Sequence, residues 1–217
     1  GGGNAGCIGC VCVNPASSSS LAKGSGITSP ADGIPQGDNF DIDYVVHEVG
    51  HQLGGNHTFS MSNEGTGANK EIGSGITIMG YAGITAQDVA PHSIDIYHEA
   101  TIAQIQANLA TKTCPVTTNI TANNVAPVIA AVSNYTIPIS TPFALTGSAT
   151  DANGDALTYC WEQNDNASSS QTGANSVASP TKATGPNWLS FSPTASGTRL
   201  FPKLSTILSG LLVTPVL

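Results

Sequence analysis

Three histidines and a glutamate stand in one short stretch, HEVGHQLGGNH, from His47 to His57. The pattern is H-E-x-x-H-x-x-G-x-x-H, and its residue types suit a metal-assisted hydrolysis. Residues four apart on a helix share a face, so His47 and His51 can present two imidazoles to one metal ion. Glu48 follows the first of them directly, where its carboxylate would stand beside a metal-bound water and serve as general base. Gly54 supplies a place for the helix to stop, because glycine tolerates the left-handed conformation common at helix ends. The chain can then turn back and deliver His57 as a third ligand. Three protein ligands leave a fourth position open, the arrangement of a catalytic zinc rather than a structural one. A bare H-E-x-x-H arises by accident in many proteins. Here Gly54, His57 and the downstream GITIMGYAG, with Met79 twenty-two residues after His57, add to it.

With those residues in view, the chain resembles the metzincin zinc metalloproteases, reprolysin-like and of a secreted bacterial type, over about residues 1–114. The resemblance implies a zinc endopeptidase acting on protein or peptide substrates. It also implies that Met79 forms the Met-turn, a soft apolar floor beneath the imidazoles. Tyr81 follows in the M-x-Y spacing of astacins and serralysins, where the phenol can steady an oxyanion. A tyrosine simply packed beside the Met-turn fits the sequence equally well. Residues 5–13 would be the strand bordering the cleft, pairing with an extended substrate through backbone hydrogen bonds. By analogy with reprolysins, Cys12 would be joined to Cys114. Thr58 occupies the position after the third histidine, where typical reprolysins have Asp, and this leaves the subfamily open. Only 46 residues precede His47, too few for the whole upper subdomain of such a domain, so an internal piece of a longer precursor is expected.

The elements that must position these side chains can be read more coarsely. The spacing predicts a zinc-bearing helix over about 42–54, capped by Asp41 or Asp43, with Ile42, Val45, Val46, Val49 and Leu53 as its apolar side. Residues 14–37 read as loop throughout, and residues 58–74 as a polar, glycine-rich excursion. Thr101-x-x-Gln104 reads as a capping box opening a helix through Ile102, Ile105 and Leu109. His92 and His98 lack ligand spacing and are expected to be structural or exposed. Five cysteines is an odd number, and the pairing of Cys7, Cys10 and Cys160 is open.

Only 9% of the 217 residues are charged, against roughly 25% in an average soluble protein. Gly, Ser, Thr, Asn and Ala fill the gap, a composition suited to a secreted, loop-rich and β-rich chain. Six Lys plus Arg against 14 Asp plus Glu give a net charge of -8 with no basic cluster, which argues against nucleic acid and anionic membranes as partners. No apolar run reaches the eighteen or so residues of a membrane span, the tail LSTILSGLLVTPVL coming closest. The protein is expected to be extracellular and monomeric.

Residues 115–126 read as a linker rich in Pro, Thr and Asn. Beyond it, short β-type runs separated by Pro, Asn and Gly turns suggest an Ig-like sandwich over residues 127–217, similar to PKD-like and cadherin-like modules and expected to be cut short at its end. Asp151, Asn153 and Asp155 offer oxygens at alternate positions for Ca2+, while Asn153-Gly154 equally makes a tight hairpin turn. Trp161 and Trp188 are expected in the core. The fold class is therefore α+β, a catalytic domain over residues 1–114 lacking much of its N-terminal subdomain, followed by an all-β domain. The expected function is zinc-dependent peptide hydrolysis with Glu48 as base. The alternative is a secreted binding or adhesion module on a catalytically weak scaffold.

Overall fold

The structure is a computed structural model and describes residues 2–121 and 124–213. Gly1, residues 122–123 of the linker and the last four residues of the apolar tail, with the chain-end reading attached to them, lie outside the described residues. Among the described residues the fold is mixed α/β, with three two-stranded antiparallel sheets. Strand β1 (Gly2–Asn4) pairs with β2 (Ile27–Ser29), Gly3 facing Thr28. This corrects two expectations. The strand at the front of the chain is Gly2–Asn4, not residues 5–13, and its partner lies inside the supposed loop, where Ile27 and Thr28 bring β-branched side chains. Residues 6–12 instead form turns closed by a Cys7–Cys10 disulfide. The amides of Gly9 and Val11 donate to the carbonyls of His51 and Gln52 (2.8 and 3.1 Å), tying this segment to the end of the helix that carries His47 and His51. Cys12 is joined to Cys114, with Cα atoms 5.7 Å apart.

That helix begins earlier than its apolar pattern indicates. A helical turn α1 (Asp38–Phe40) runs into a π-helical stretch, Asp41–Val46, and then into α2 (His47–Leu53). Neither Asp41 nor Asp43 caps it; Asp43 Oδ1 accepts the Ser93 amide proton instead (2.8 Å). The buried positions are Tyr44, His47, Gly50 and His51, whereas Val49 is 44% exposed and Ile42, Val45, Val46 and Leu53 are half-buried. The inward stripe is thus polar, because its imidazoles find partners inside. Gly50 permits this packing, since a Cβ there would lie 2.6 Å from Met79 Sδ.

At the end of α2, Gly54 adopts φ +120° and donates to the Gly50 and His51 carbonyls (3.1 and 3.0 Å). A Cβ at Gly54 would lie 2.8 Å from Asn108 Cβ, so both the conformation and the space call for glycine. Asn108 belongs to α3 (Glu99–Leu109) and donates to the Leu53 carbonyl (2.7 Å). His98, not Thr101, caps α3: its Nδ1 accepts the Ala100 amide proton (3.1 Å). Gln104 is committed elsewhere, accepting the Asn56 amide proton (2.9 Å), and Thr101 is buried within the first turn.

Residues 58–97 form almost no regular structure yet supply much of the core, including Phe59, Ile72, Ile78 and the fully buried Met79. Both ends of the expected polar excursion, residues 58–60 and 68–74, are therefore largely interior chain, while residues 62–65 and 67 between them are exposed. The burial of those ends is possible because side chains satisfy the backbone that strands would otherwise pair. Asn69 Nδ2 donates to the carbonyls of Phe59 and Ser62 (2.6 and 2.9 Å). Ile72, Val89 and Leu189 form an apolar cluster that draws residues from both halves of the chain, with Phe191 packed against it.

Further along, β3 (Val128–Ile129) pairs with β5 (Ala149–Thr150), and β4 (Phe143–Thr146) with β6 (Thr198–Phe201). Phe143 and Phe201 stack at 4.9 Å, with Trp188 edge-on to both at 5.7 Å. Trp161 is half-buried and donates from its indole to the Gly197 carbonyl (2.9 Å). Asp151 Oδ1 accepts amide protons from Asn153 and Asp155 (2.8 and 3.1 Å), with Gly154 at φ +80°, a hydrogen-bonded turn. A short helix, α4 (Leu204–Leu208), follows β6. No helix among the described residues is long and apolar enough to cross a membrane.

Candidate metal centre

Helix α2 carries His47 and His51 one turn apart, and the reversal at Gly54 brings His57 back to them. One ring nitrogen from each lies within 4.8 Å of the others. Among the described residues, no other group of three His, Cys, Asp or Glu side chains converges in this way. The three rings are held by their Nδ1 atoms. His47 Nδ1 bonds the Ile78 carbonyl (2.6 Å), His51 Nδ1 the Gly55 carbonyl (2.8 Å), and His57 Nδ1 both carboxylate oxygens of Glu64 (2.9 and 3.1 Å). Each acceptor requires a proton on Nδ1, which leaves the Nε2 lone pair free for a metal. His51 Nε2 and His57 Nε2 then face each other at 3.0 Å with no proton between them. A cation resolves that opposition, and nitrogens at the corners of a tetrahedral zinc site stand about 3.3 Å apart. The donor set and its orientation therefore fit Zn2+.

Burial pushes the His47 and His57 pKa values down to about 3, with the neighbouring His51 adding to both; burial lowers His51 as well. Neutral imidazoles are what a metal needs. Folded values below the ordinary 6.5 mean that, between pH 6.5 and 3, the unfolded chain binds protons that the folded chain does not. Stability of the metal-stripped protein should therefore be complete above pH 6.5 and fall as pH drops through that window. The slope is at most about 1.4 kcal/mol per pH unit for each histidine. Urea unfolding of chelated protein at pH 7 and pH 5 checks this, and equal midpoints would contradict it.

Glu48 points from α2 toward β1. Its carboxylate is hydrogen-bonded to the Ala5 backbone and packs against Gly3, where any Cβ would collide with it. Burial raises its pKa, opposed by the Ala5 bond. A cleft of about 390 Å³ opens here, lined by His47, Glu48, Tyr81, Tyr44 and the β1 glycines Gly2 and Gly3. Tyr81 lies against His57 and His47 (ring centroids 4.6 and 5.5 Å). Its phenol is held protonated by burial, then by the charges of Glu64 and Glu48. Met79 is buried under α2 at Gly50, and its carbonyl accepts the Thr58 amide proton (3.1 Å).

Residues 1–110 match the family described as Metallo-peptidase family M12B Reprolysin-like. The chain belongs to this reprolysin-like metallopeptidase family. No curated protein and no solved structure is matched by the chain. The family and the histidine triad together make this reprolysin-like chain a zinc metallopeptidase with protein or peptide substrates. The two disulfides accord with an extracellular protein.

Two carboxylates of this metallopeptidase escaped the sequence reading. Glu64 meets His57. Glu71, 3% exposed, accepts from the hydroxyls of Thr58 and Thr77 and from the amides of Ile76 and Thr77 (2.9 and 3.1 Å). Thr58 thus donates to a buried acid supplied thirteen residues later. The one available signal was that Glu64 and Glu71 are the only acids between His57 and Met79. Asp151, Asn153 and Asp155 lie outside this centre, and Cys160 forms no disulfide. His92 is exposed, its Nδ1 bonding the Ser93 carbonyl (2.8 Å).

Proposed function

We propose that the protein is a secreted, monomeric metzincin endopeptidase that cleaves extended peptide segments, with Glu48 as general base and acid. The observation that carries this reading is the convergence of three Nδ1-anchored histidines beside a cleft that Glu48 also lines. Zinc held by His47, His51 and His57 would supply Lewis-acid polarisation of a water and of the scissile carbonyl. Glu48 takes the proton from the attacking water and delivers it to the leaving amine. Its raised pKa brings it closer to the working range of such a relay. Tyr81, protonated and beside two ligands, is available to donate to the oxyanion. Met79 is the apolar floor of a Met-turn. The edge of β1 not paired with β2 can add a substrate strand, Gly2 and Gly3 lining the cleft.

In this reading residues 1–114 are the catalytic domain, closed by the Cys12–Cys114 disulfide. Residues 115–126 are a linker and residues 127–217 an Ig-like β module, supported by the antiparallel pairs β3–β5 and β4–β6.

The test measures zinc by mass spectrometry and cleavage of a quenched peptide, wild type beside His57→Ala. One zinc per chain with chelator-sensitive cleavage is expected in wild type, with both lost in the variant. Wild-type protein without zinc, or with zinc but no cleavage of a broad peptide library, would overturn it.

A further inference from the structure

Two of the three histidines are oriented by neutral backbone carbonyls, and only His57 is oriented by a charge. Glu64 reaches it with both oxygens, at 2.9 and 3.1 Å from Nδ1. The imidazole is nearly covered, 14% exposed, while the carboxylate is 39% exposed and could otherwise be fully hydrated. The chain around Glu64 is fixed by later residues. Gly173 donates its amide proton to the Met61 carbonyl (2.8 Å), Gly73 to Ser176 (3.1 Å) and Ala167 to Asn69 (2.8 Å). Lys70 Nζ reaches the Asn164 carbonyl (2.7 Å). Within the segment, Asn63 Oδ1 accepts the Gly65 amide proton (2.9 Å) and shapes the turn that carries Glu64.

We propose that Glu64 is a positioning residue for the third zinc ligand, forming a carboxylate–His57–metal relay that holds the ring and strengthens its donor nitrogen, with residues 164–176 fixing the segment that presents it. This rests on the zinc reading above. His57 needs such a partner most. It lies beyond the helix end, where no i, i+4 geometry places it, and a ligand on irregular chain must be oriented by its own contacts. A carboxylate acceptor also makes the bound imidazole more electron-rich than a carbonyl does. Glu64 does not touch substrate or the reacting atoms in this scheme; it acts through His57.

The experiment titrates the metal-stripped 217-residue chain with Zn2+ against a chromophoric chelator, comparing wild type, Glu64→Gln, Glu64→Ala and His57→Ala. Visible spectra of the Co2+-loaded forms and thermal unfolding of the metal-free forms are recorded alongside. Glu64→Ala should bind Zn2+ roughly 10- to 100-fold more weakly. Glu64→Gln should lie between, because its amide oxygen keeps an acceptor without the charge. The Co2+ bands of Glu64→Ala should shift, and its metal-free unfolding temperature should match wild type. Affinity in Glu64→Ala within about twofold of wild type overturns the proposal, as does a loss that merely parallels lower metal-free stability. Those results leave the zinc reading standing so long as His57→Ala loses the metal. Wild-type protein that binds no Zn2+ overturns both.

Discussion

Glu48→Gln should retain one zinc per chain and lose about 100- to 10,000-fold in kcat/KM. The replacement keeps shape and removes the carboxylate that follows the first histidine of the triad and lines the cleft with it. A carboxamide cannot take a proton from water at neutral pH, so the relay to the leaving amine stops. Metal binding should survive, because Glu48 makes none of the Nδ1 contacts that orient the three imidazoles. Packing should survive as well: the side chain lies against Gly3 and the Ala5 backbone, and an amide of the same size can occupy that space. The measurement is peptide cleavage and zinc content on one sample. A variant that cleaves at more than about a tenth of the wild-type rate would remove Glu48 from the base role.

Glu71→Ala should cost at least about 3 kcal/mol of stability. The carboxylate gathers two hydroxyls and two amides in an interior site, with no cation beside it among the contacts seen. Its removal leaves the Ile76 and Thr77 amides without that acceptor and opens a void among Thr58 and Thr77. Buried donors stripped of a charged acceptor lose more than ordinary hydrogen bonds do. The damage should also reach the metal. Thr58 adjoins His57, and Thr77 precedes Ile78, whose carbonyl holds His47 Nδ1. Urea unfolding of the metal-free protein should show the loss directly, and a zinc titration should show weaker binding. A cost under about 1 kcal/mol would mean that the network is dispensable.

Glu48 and Glu71 differ in how readable they were. Glu48 sits next to a ligand in a spaced motif, and its meaning follows from helix geometry. Glu71 is one acid in a polar stretch, and nothing local distinguishes it from a solvated surface residue. The same contrast holds for the elements. Apolar periodicity in residues 42–54 marked the helix but misjudged its buried face, because the inward stripe is formed by Tyr44, His47, Gly50 and His51. Thr101-x-x-Gln104 had the form of a capping box, but Asn56 takes the Gln104 side chain and His98 caps the helix.

What the sequence by itself determined is the metal triad. His47 and His51 are fixed four apart by the helix, and Gly54 allows the reversal that returns His57, all within one stretch of eleven residues. Such geometry is short-ranged, so residue spacing suffices to state it. The tertiary structure alone decided which carbonyls and carboxylates orient those rings: Ile78, Gly55 and Glu64. It also decided that residues 58–60 and 68–74 are largely interior, that the front strand is Gly2–Asn4, and that residues near 164–191 pack against the segment beyond His57. These depend on which distant groups meet once apolar surface is buried and each enclosed polar atom must find a partner. Spacing along the chain carries no record of that pairing.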